Sequence, residues 1–504
     1  MKVLLITPDK GKESVKTYFP APSLGVERLA SYLRRNNFDV ETVDPNLDSL
    51  PIDKNYDVVG VGTYHLTLKN DIANLYRFKK QRLGPLLVAG GIESTFDPKT
   101  IMEKSPVDIV VLGEGEYALS EIVRKHSEDN DLVSKYKHIP GLVIRSNDGF
   151  VFTGEKNAFS ANEFTDVTMS LDFAKINYRK YWETTRNFYK EANDQEINSI
   201  RIFTANKCPF RCSFCSSRNF LDSISGKSSR IAMLSIDNTI KLLQKCSKFY
   251  PDALTVIFDD DNCLINKKRM IQLSNKIIEE KERKTITKEL TFICQGRTST
   301  IAEVYSIDDL KHLKKAGFRM LNIGVESFCQ EILDDLKKDI KEDQIWRALE
   351  KLKESEIQAH VYIIMIPPTT KKKHIVKNIE SISRCLRMGM EVGINKDIIP
   401  LPGSDIINDN GLKIVREKVL IPGTDQFLMQ SNKILPNDPE VSKIAERLDE
   451  ELEDYKEQII NDFGIIHIPP RINTLIVSFA LCSIIGESGM KEEIKQLIKK
   501  EMKK

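Results

Sequence analysis

Two runs of short apolar segments alternating with amphipathic helical ones constrain this chain more than any other feature. In the first run, strands are predicted at Val3–Ile6, Val40–Val43, Val58–Val61, Leu86–Ala89 and Asp108–Leu112. Helices lie between them: one over Ser23–Asn36 with apolar spacing at Leu24, Leu29 and Leu33, one through Ile72 and Leu75, and one from Glu116. Such alternation implies parallel βαβ units and a doubly wound, Rossmann-like sheet. Ligands of such sheets sit beyond the carboxyl ends of the strands, where Gly60, Gly90–Gly91 and Gly113–Gly115 fall. The second run begins near residue 197. Its strands are predicted at Ser199–Thr204, Leu254–Phe258, Leu290–Cys294, Met320–Val325, Val361–Ile366 and Gly393–Ile399. Six βα units suit a partial (β/α)6 barrel whose chemistry lies at the carboxyl ends of its strands.

The stretches outside these runs complete an α/β chain of four parts. Residues 1–138 are read as the doubly wound domain and 197–405 as the barrel. Residues 139–196 are read as a connector, with a hairpin around Asn147-Asp148-Gly149 and then Phe164, Phe173, Tyr178, Tyr181, Trp182, Phe188 and Tyr189. Residues 406–504 are read as mostly helical, with a long amphipathic helix over Glu440–Phe463 and a short charged one over Lys491–Lys503. Ile472–Gly486 is apolar but too short for a membrane span, which needs ~20 residues, so it is read as a buried helix. The N-terminal apolar run is too short for a secretory leader. The net charge of +2 gives no field favouring nucleic acid or an anionic membrane. Nine cysteines in 504 residues are too few for a disulfide scaffold. The expectation is a cytoplasmic protein with reduced thiols and no partner nucleic acid.

Three of the nine cysteines stand together at the end of the first barrel strand, as Cys208-Pro-Phe-Arg-Cys212-Ser-Phe-Cys215. Thiolates are the usual ligands of iron–sulfur clusters, and three can leave one iron of a four-iron cluster open to a substrate. The competing readings are three buried cysteines or a zinc site, which would want a fourth Cys or His at matched spacing. The other six, Cys246, Cys263, Cys294, Cys329, Cys385 and Cys482, are read as small buried hydrophobes.

This loop, with Phe214 before its last cysteine, resembles that of the radical SAM superfamily, whose members cleave S-adenosylmethionine (SAM) at a 4Fe–4S cluster. The resemblance continues over residues 197–405. It implies that Cys208, Cys212 and Cys215 hold the cluster, and that Phe214, Asp259, Asp260, Gln295, Arg297, Glu326 and Ser327 contact SAM. Asp259 and Asp260 belong to Phe258-Asp259-Asp260-Asp261 after the second strand, and Glu326 and Ser327 to Gly324-Val325-Glu326-Ser327 after the fourth. Pro400-Leu401-Pro402-Gly403-Ser404 matches the run ending the sixth strand. Ile366-Pro367-Pro368-Thr369-Thr370, after the fifth, departs from the family pattern by lacking its glycine and glutamate.

The first domain resembles the cobalamin-binding domain fused to many of these enzymes, through Asp57-Val-Val-Gly60-Val-Gly62, Gly90-Gly91-Ile-Glu-Ser-Thr95 and Gly113-Glu114-Gly115-Glu116. Thr63, His65, Gly90, Gly91, Gly113 and Glu114 are the implied cobalamin contacts. The histidine-bearing loop of the wider cobalamin family is replaced here by Thr7-Pro8-Asp9-Lys10-Gly11. The resemblance implies a cobalamin-dependent radical SAM methyltransferase acting on an unactivated carbon. Its substrate would be a small molecule, lipid or peptide, and its reductant a flavodoxin or ferredoxin. The alternatives are a cyclase, rearrangement or C–C coupling enzyme without methyl transfer, and a non-catalytic cobalamin or redox sensor.

Overall fold

A computed structural model of the chain describes all residues except 13, 15–18, 81–83, 127–130, 190–191, 227, 464–469 and 502–504. The first sheet holds β1 (Lys2–Ile6), β2 (Asp39–Val43), β3 (Val58–Thr63), β4 (Leu86–Gly91), β5 (Ile109–Val111), β6 (Leu142–Ser146) and β7 (Gly149–Phe152). Their order is β2-β1-β3-β4-β5-β6-β7. The first five strands are parallel, and β1, β3, β4 and β5 are apolar on both faces because helices cover both sides, whereas the edge strand β2 carries Asp39, Glu41 and Thr42. Strand order reverses between β1 and β3, which opens a crevice at their carboxyl ends. The hairpin β6–β7 pairs antiparallel with β5. It is therefore the edge of this sheet rather than part of a connector, and the sheet runs to residue 152.

The second sheet is all parallel: β8 (Ser199–Ile202), β9 (Thr255–Phe258), β10 (Thr291–Gly296), β11 (Phe318–Glu326), β12 (Gln358–Ile364) and β13 (Glu391–Asn395). The strands follow one another in sequence order without closing, as expected of a partial barrel. Its two open edges would leave backbone groups bare. The aromatic segment covers the first edge. Tyr178 Oη lies 3.3 Å from the Arg201 carbonyl oxygen and accepts the Arg201 N–H at 3.2 Å, while Trp182 Nε1 donates to the Ser199 carbonyl oxygen at 3.0 Å. Tyr178 and Trp182 are thus edge covers, and Phe188 is exposed. The second edge is covered by the apolar helix Pro470–Ile485, whose Thr474 hydroxyl donates to the Val392 carbonyl oxygen. This helix is buried, as expected, and no helix among the described residues is long and apolar enough to cross a membrane.

The C-terminal part is helical over Pro439–Phe463, Pro470–Ile485 and Ser488–Glu501. It opens with a feature absent from the sequence reading, an antiparallel pair of β14 (Lys413–Leu420) and β15 (Phe427–Leu435). Ile421, just after β14, and Leu428 of β15 are buried in the core of the first domain. The expected Lys491–Lys503 helix ends at Glu501, with Met502 and Lys503 outside the described residues.

Candidate active site

The cysteine loop leaves β8 and is fixed from three sides. At its start Asp260, fully enclosed, accepts the backbone N–H groups of Thr204 at 2.6 Å and Ala205 at 2.8 Å, and the Thr204 hydroxyl. In its middle both backbone groups of Ser213 are used: its N–H donates to the Leu336 carbonyl oxygen at 2.9 Å, and its carbonyl accepts the Ile406 N–H at 2.8 Å. Beyond it, Asn219 Nδ2 donates to the Gly403 carbonyl oxygen at 2.7 Å. The segment 336–339 clasps this loop. Lys337 and Asp339 adopt φ of 49° and 51°, a conformation costly for residues with a Cβ. That turn presents the Leu336 carbonyl to Ser213 and the Asp339 carbonyl to Arg297, and brings the Lys338 ammonium within 5.7 Å of the Phe214 ring centroid.

Cys208, Cys212 and Cys215 are half-buried and carry no disulfide. Burial, Asp261 and the neighbouring thiols together push Cys215 up to about 11, and Cys208 also upward. Holding the Cys208 and Cys215 sulfurs here as thiolates therefore calls for cationic ligation, which fits a cluster. Among the described residues no three His, Cys, Asp or Glu side chains form a mononuclear metal site. A cluster makes no such demand, because each cysteine binds a different iron.

The residues expected around SAM divide into two groups. Asp259 is in the mouth of the barrel, 3.3 Å from Arg201, with its carboxyl pushed up by burial. Gln295 ends β10 and is half-buried. Glu326, at φ 67°, is buried and paired with Lys338 at 2.7 Å. Asp260, Arg297 and Ser327 are engaged by protein partners. Asp260 spends both oxygens on Thr204 and Ala205. Ser327 is fully buried, hydrogen-bonded to Asn378 Oδ1 at 3.1 Å and accepting the Cys329 N–H at 3.2 Å. Arg297 turns to the cysteine loop, 3.6 Å from Cys212 Sγ. Asp261, which hydrogen-bonds the Ser217 hydroxyl, takes the place in the mouth expected of Asp260.

A cavity of about 700 Å³ joins this mouth to the crevice of the first sheet. Its floor is the glycine set at the ends of β3, β4 and β5, including Gly62, Gly90, Gly91, Gly113 and Gly115; Thr63 and Glu114 also line it. Gly91 has φ 102°, and a Cβ there would lie 2.9 Å from the Thr63 carbonyl oxygen. A Cβ on Gly113 would strike Ile224, and one on Gly403 would strike the ring of Phe96, so both glycines sit where the first domain meets the barrel. A floor that exposes this much glycine backbone fits a broad planar ligand.

The loop after β1 forms the near wall. Asp71 accepts its Asp9 N–H at 2.7 Å, and Asn74 Nδ2 donates to Asp9 Oδ2 at 2.9 Å. Lys10, Asp44, Asn46 and Arg201 meet at its rim. Desolvation, with Arg201 nearby, lowers the Lys10 ammonium. Tyr181 donates to Asp44 Oδ2 at 2.9 Å, so this aromatic links the two domains.

His65 does not reach the cavity. Its Nδ1 is 3.3 Å from Glu93 Oε1 and its Nε2 2.8 Å from the Ser431 carbonyl oxygen of β15. The Thr63 hydroxyl lies 2.7 Å from Ser94 Oγ and 3.0 Å from the Gly90 carbonyl oxygen. Glu114 accepts the Phe159 N–H at 2.6 Å.

The Radical SAM superfamily model matches residues 202–382, and the B12 binding domain model matches residues 14–123. An anaerobic magnesium-protoporphyrin IX monomethyl ester cyclase of Cereibacter sphaeroides is 25% identical over 56% of this chain and 41% of its own length. An uncharacterized methyltransferase of Pyrococcus horikoshii is 27% identical over 74% of this chain and 76% of its own. A hopanoid C-3 methylase of Methylococcus capsulatus is 22% identical over 80% and 72%. The chain thus spans about two fifths of the cyclase and about three quarters of the two methyl-transferring relatives. Among solved structures, the cobalamin-dependent SAM radical enzyme OxsB with aqua-cobalamin and SAM superposes with a TM-score of 0.68 at 16% identity, over 98% of this chain and 72% of its own. The radical SAM methyltransferase TsrM of Kitasatospora setae, with cobalamin and a [4Fe-4S] cluster, gives 0.62 at 16% identity over 84% and 81%.

Proposed function

Since the chain belongs to the radical SAM superfamily and carries a B12 binding domain ahead of its barrel, we propose that it methylates an unactivated carbon of its substrate. When bound, the cluster supplies the electron that cleaves SAM to a 5′-deoxyadenosyl radical, and cobalamin supplies a carrier for the methyl group. The single observation behind methyl transfer is the continuity of the cavity. It runs from the glycine floor to Asp259 and Asp261 at the barrel mouth, so a ligand on that floor would share one cavity with these two carboxylates.

The chain's own residues have separable tasks in this reading. Cys208, Cys212 and Cys215 ligate the cluster. Asp259 and Asp261 offer carboxylates to the ammonium of SAM, an interaction strengthened in a site sheltered from water. Gly90, Gly91 and Gly113 expose backbone on the floor. The clasp at 336–339 holds the loop to one geometry, which favours reaction over release of a loose radical. The reductant would be a flavodoxin or ferredoxin and the substrate a small molecule, lipid or peptide, in the cytoplasm.

A second reading, radical cyclisation without methyl transfer, is supported by the cyclases among the curated relatives. Quantifying 5′-deoxyadenosine and S-adenosylhomocysteine in the same reaction separates the two. Methyl transfer requires both products together with a mass gain of one methyl group. Deoxyadenosine without S-adenosylhomocysteine sinks it in favour of the cyclase reading.

A further inference from the structure

Arg297 follows β10 and is only 6% exposed. Its guanidinium is held by three separate parts of the chain. Nε donates to Ser299 Oγ at 3.2 Å, Nη2 donates to the Asp339 carbonyl oxygen at 3.0 Å, and the plane lies 4.0 Å from the centroid of Phe210, inside the cysteine loop. These contacts fix the plane and aim Nη1 at Cys212 Sγ, 3.6 Å away. A guanidinium is a rigid fork that stays charged at any pH the protein survives. The side chain is therefore an enclosed, permanent positive charge with one donor directed at a ligand sulfur.

We infer that Arg297 donates a hydrogen bond to the Cys212 thiolate and thereby raises the reduction potential of the cluster, rather than gripping SAM. The inference rests on the proposed cluster ligation. Reduction adds one electron, delivered by a flavodoxin- or ferredoxin-class donor, and makes the cluster one unit more negative. A fixed cation and a hydrogen bond at a ligand sulfur favour the more negative state, and hydrogen bonds to the sulfurs are among the factors that set cluster potentials. The segment 336–339 matters here too, because the Asp339 carbonyl that orients the guanidinium belongs to the same clasp that seats Ser213.

The test is a redox titration of the full-length, cluster-reconstituted protein without SAM. Dithionite is the reductant, the paramagnetic signal is the readout, and iron and sulfide contents are measured alongside. R297M should take up the wild-type complement of iron and sulfide and titrate at a more negative potential. R297Q, which keeps a donor but not the charge, should fall between R297M and wild type. SAM affinity should stay within about twofold of wild type, a change of less than ~0.5 kcal/mol. An R297M cluster that titrates at the wild-type potential overturns the inference, as does a loss of SAM affinity with unchanged potential. If R297M does not load, R297Q at the wild-type potential overturns it. If neither loads, the inference also fails, and Arg297 is needed to assemble the loop instead. Failure of the wild-type protein to take up iron and sulfide would instead refute the cluster reading itself.

Discussion

His65 of the first domain lies 2.8 Å from the carbonyl oxygen of Ser431, 366 residues later in the chain. The adjacent Gln430 amide returns the contact by donating to the His65 carbonyl oxygen at 2.7 Å. Burial works against the imidazolium, but the Glu93 carboxylate and the Ser431 carbonyl outweigh it, and the His65 pKa is raised. A histidine raised in the folded state stabilises fully below its unfolded value of ~6.5, and that contribution is lost as pH rises through the folded value. Amide exchange of 427–435 should therefore speed up as pH rises above that range, beyond the intrinsic base-catalysed increase. In H65A the same amides should be less protected at low pH and show no such transition. Stability should also fall by ~2 kcal/mol, because Glu93 is left buried without its partner.

Burial raises the carboxyls of both Asp260 and Asp259, but Asp260 holds the cysteine loop while Asp259 faces the mouth of the barrel. Burial pushes the Asp260 carboxyl up to about 6 against the pull of Thr204 and Ala205. A carboxyl raised above its unfolded value of ~3.9 stabilises fully below that value and loses the contribution as pH rises through the folded one. Wild-type unfolding free energy should carry this loss between about pH 4 and pH 6, and D260N, whose Oδ1 can still accept both backbone N–H groups while its Nδ2 donates to the Thr204 hydroxyl instead of accepting from it, should not. D260A strands the two backbone donors and should cost ~3 kcal/mol. D259A should leave the melting curve nearly unchanged and weaken SAM binding about tenfold, ~1.4 kcal/mol, by calorimetry.

G91A tests the floor of the cavity. The substitution forces a Cβ onto a residue at φ 102° and against the Thr63 carbonyl, at a cost of ~1–2 kcal/mol. Absorbance of bound cobalamin should fall sharply after gel filtration, while iron and sulfide contents stay at wild-type levels.

C208A, C212A and C215A should each reduce iron and sulfide to background and abolish deoxyadenosine formation. The buried Cys385 serves as control: C385A should retain both.

What could be read from the sequence was whatever is local. Three cysteines within eight residues and glycines at strand ends announce themselves because spacing and strand position are sequence properties. The six barrel strands are legible because each carries at least two buried or half-buried apolar residues at strand spacing, although the sixth lies at Glu391–Asn395 and not over Gly393–Ile399. Which acid of Asp259-Asp260-Asp261 points where depends on a one-residue register, which composition does not reveal. Ser327 matched a family segment, yet its hydroxyl is claimed by Asn378, a partner set only by packing. The β14–β15 hairpin was missed because Lys413–Leu420 is rich in charge; only Ile421 and Leu428 of that region are buried in the first domain. His65 reads as a ligand-side residue because its loop follows β3, and nothing nearby in sequence points to Ser431.

The tip of the Phe96 ring occupies the place where a side chain on Gly403 would be, and one of these residues belongs to each domain. That fit has a consequence for descent and for engineering. The two domains are not interchangeable cassettes: a first domain borrowed from a relative must bring a side chain that tolerates whatever stands at 403, and a barrel with a larger residue there would reject this one. Recombination at the domain boundary is thus filtered by a position far beyond the crossover, and chimeras should be screened at 96 and 403 as a pair.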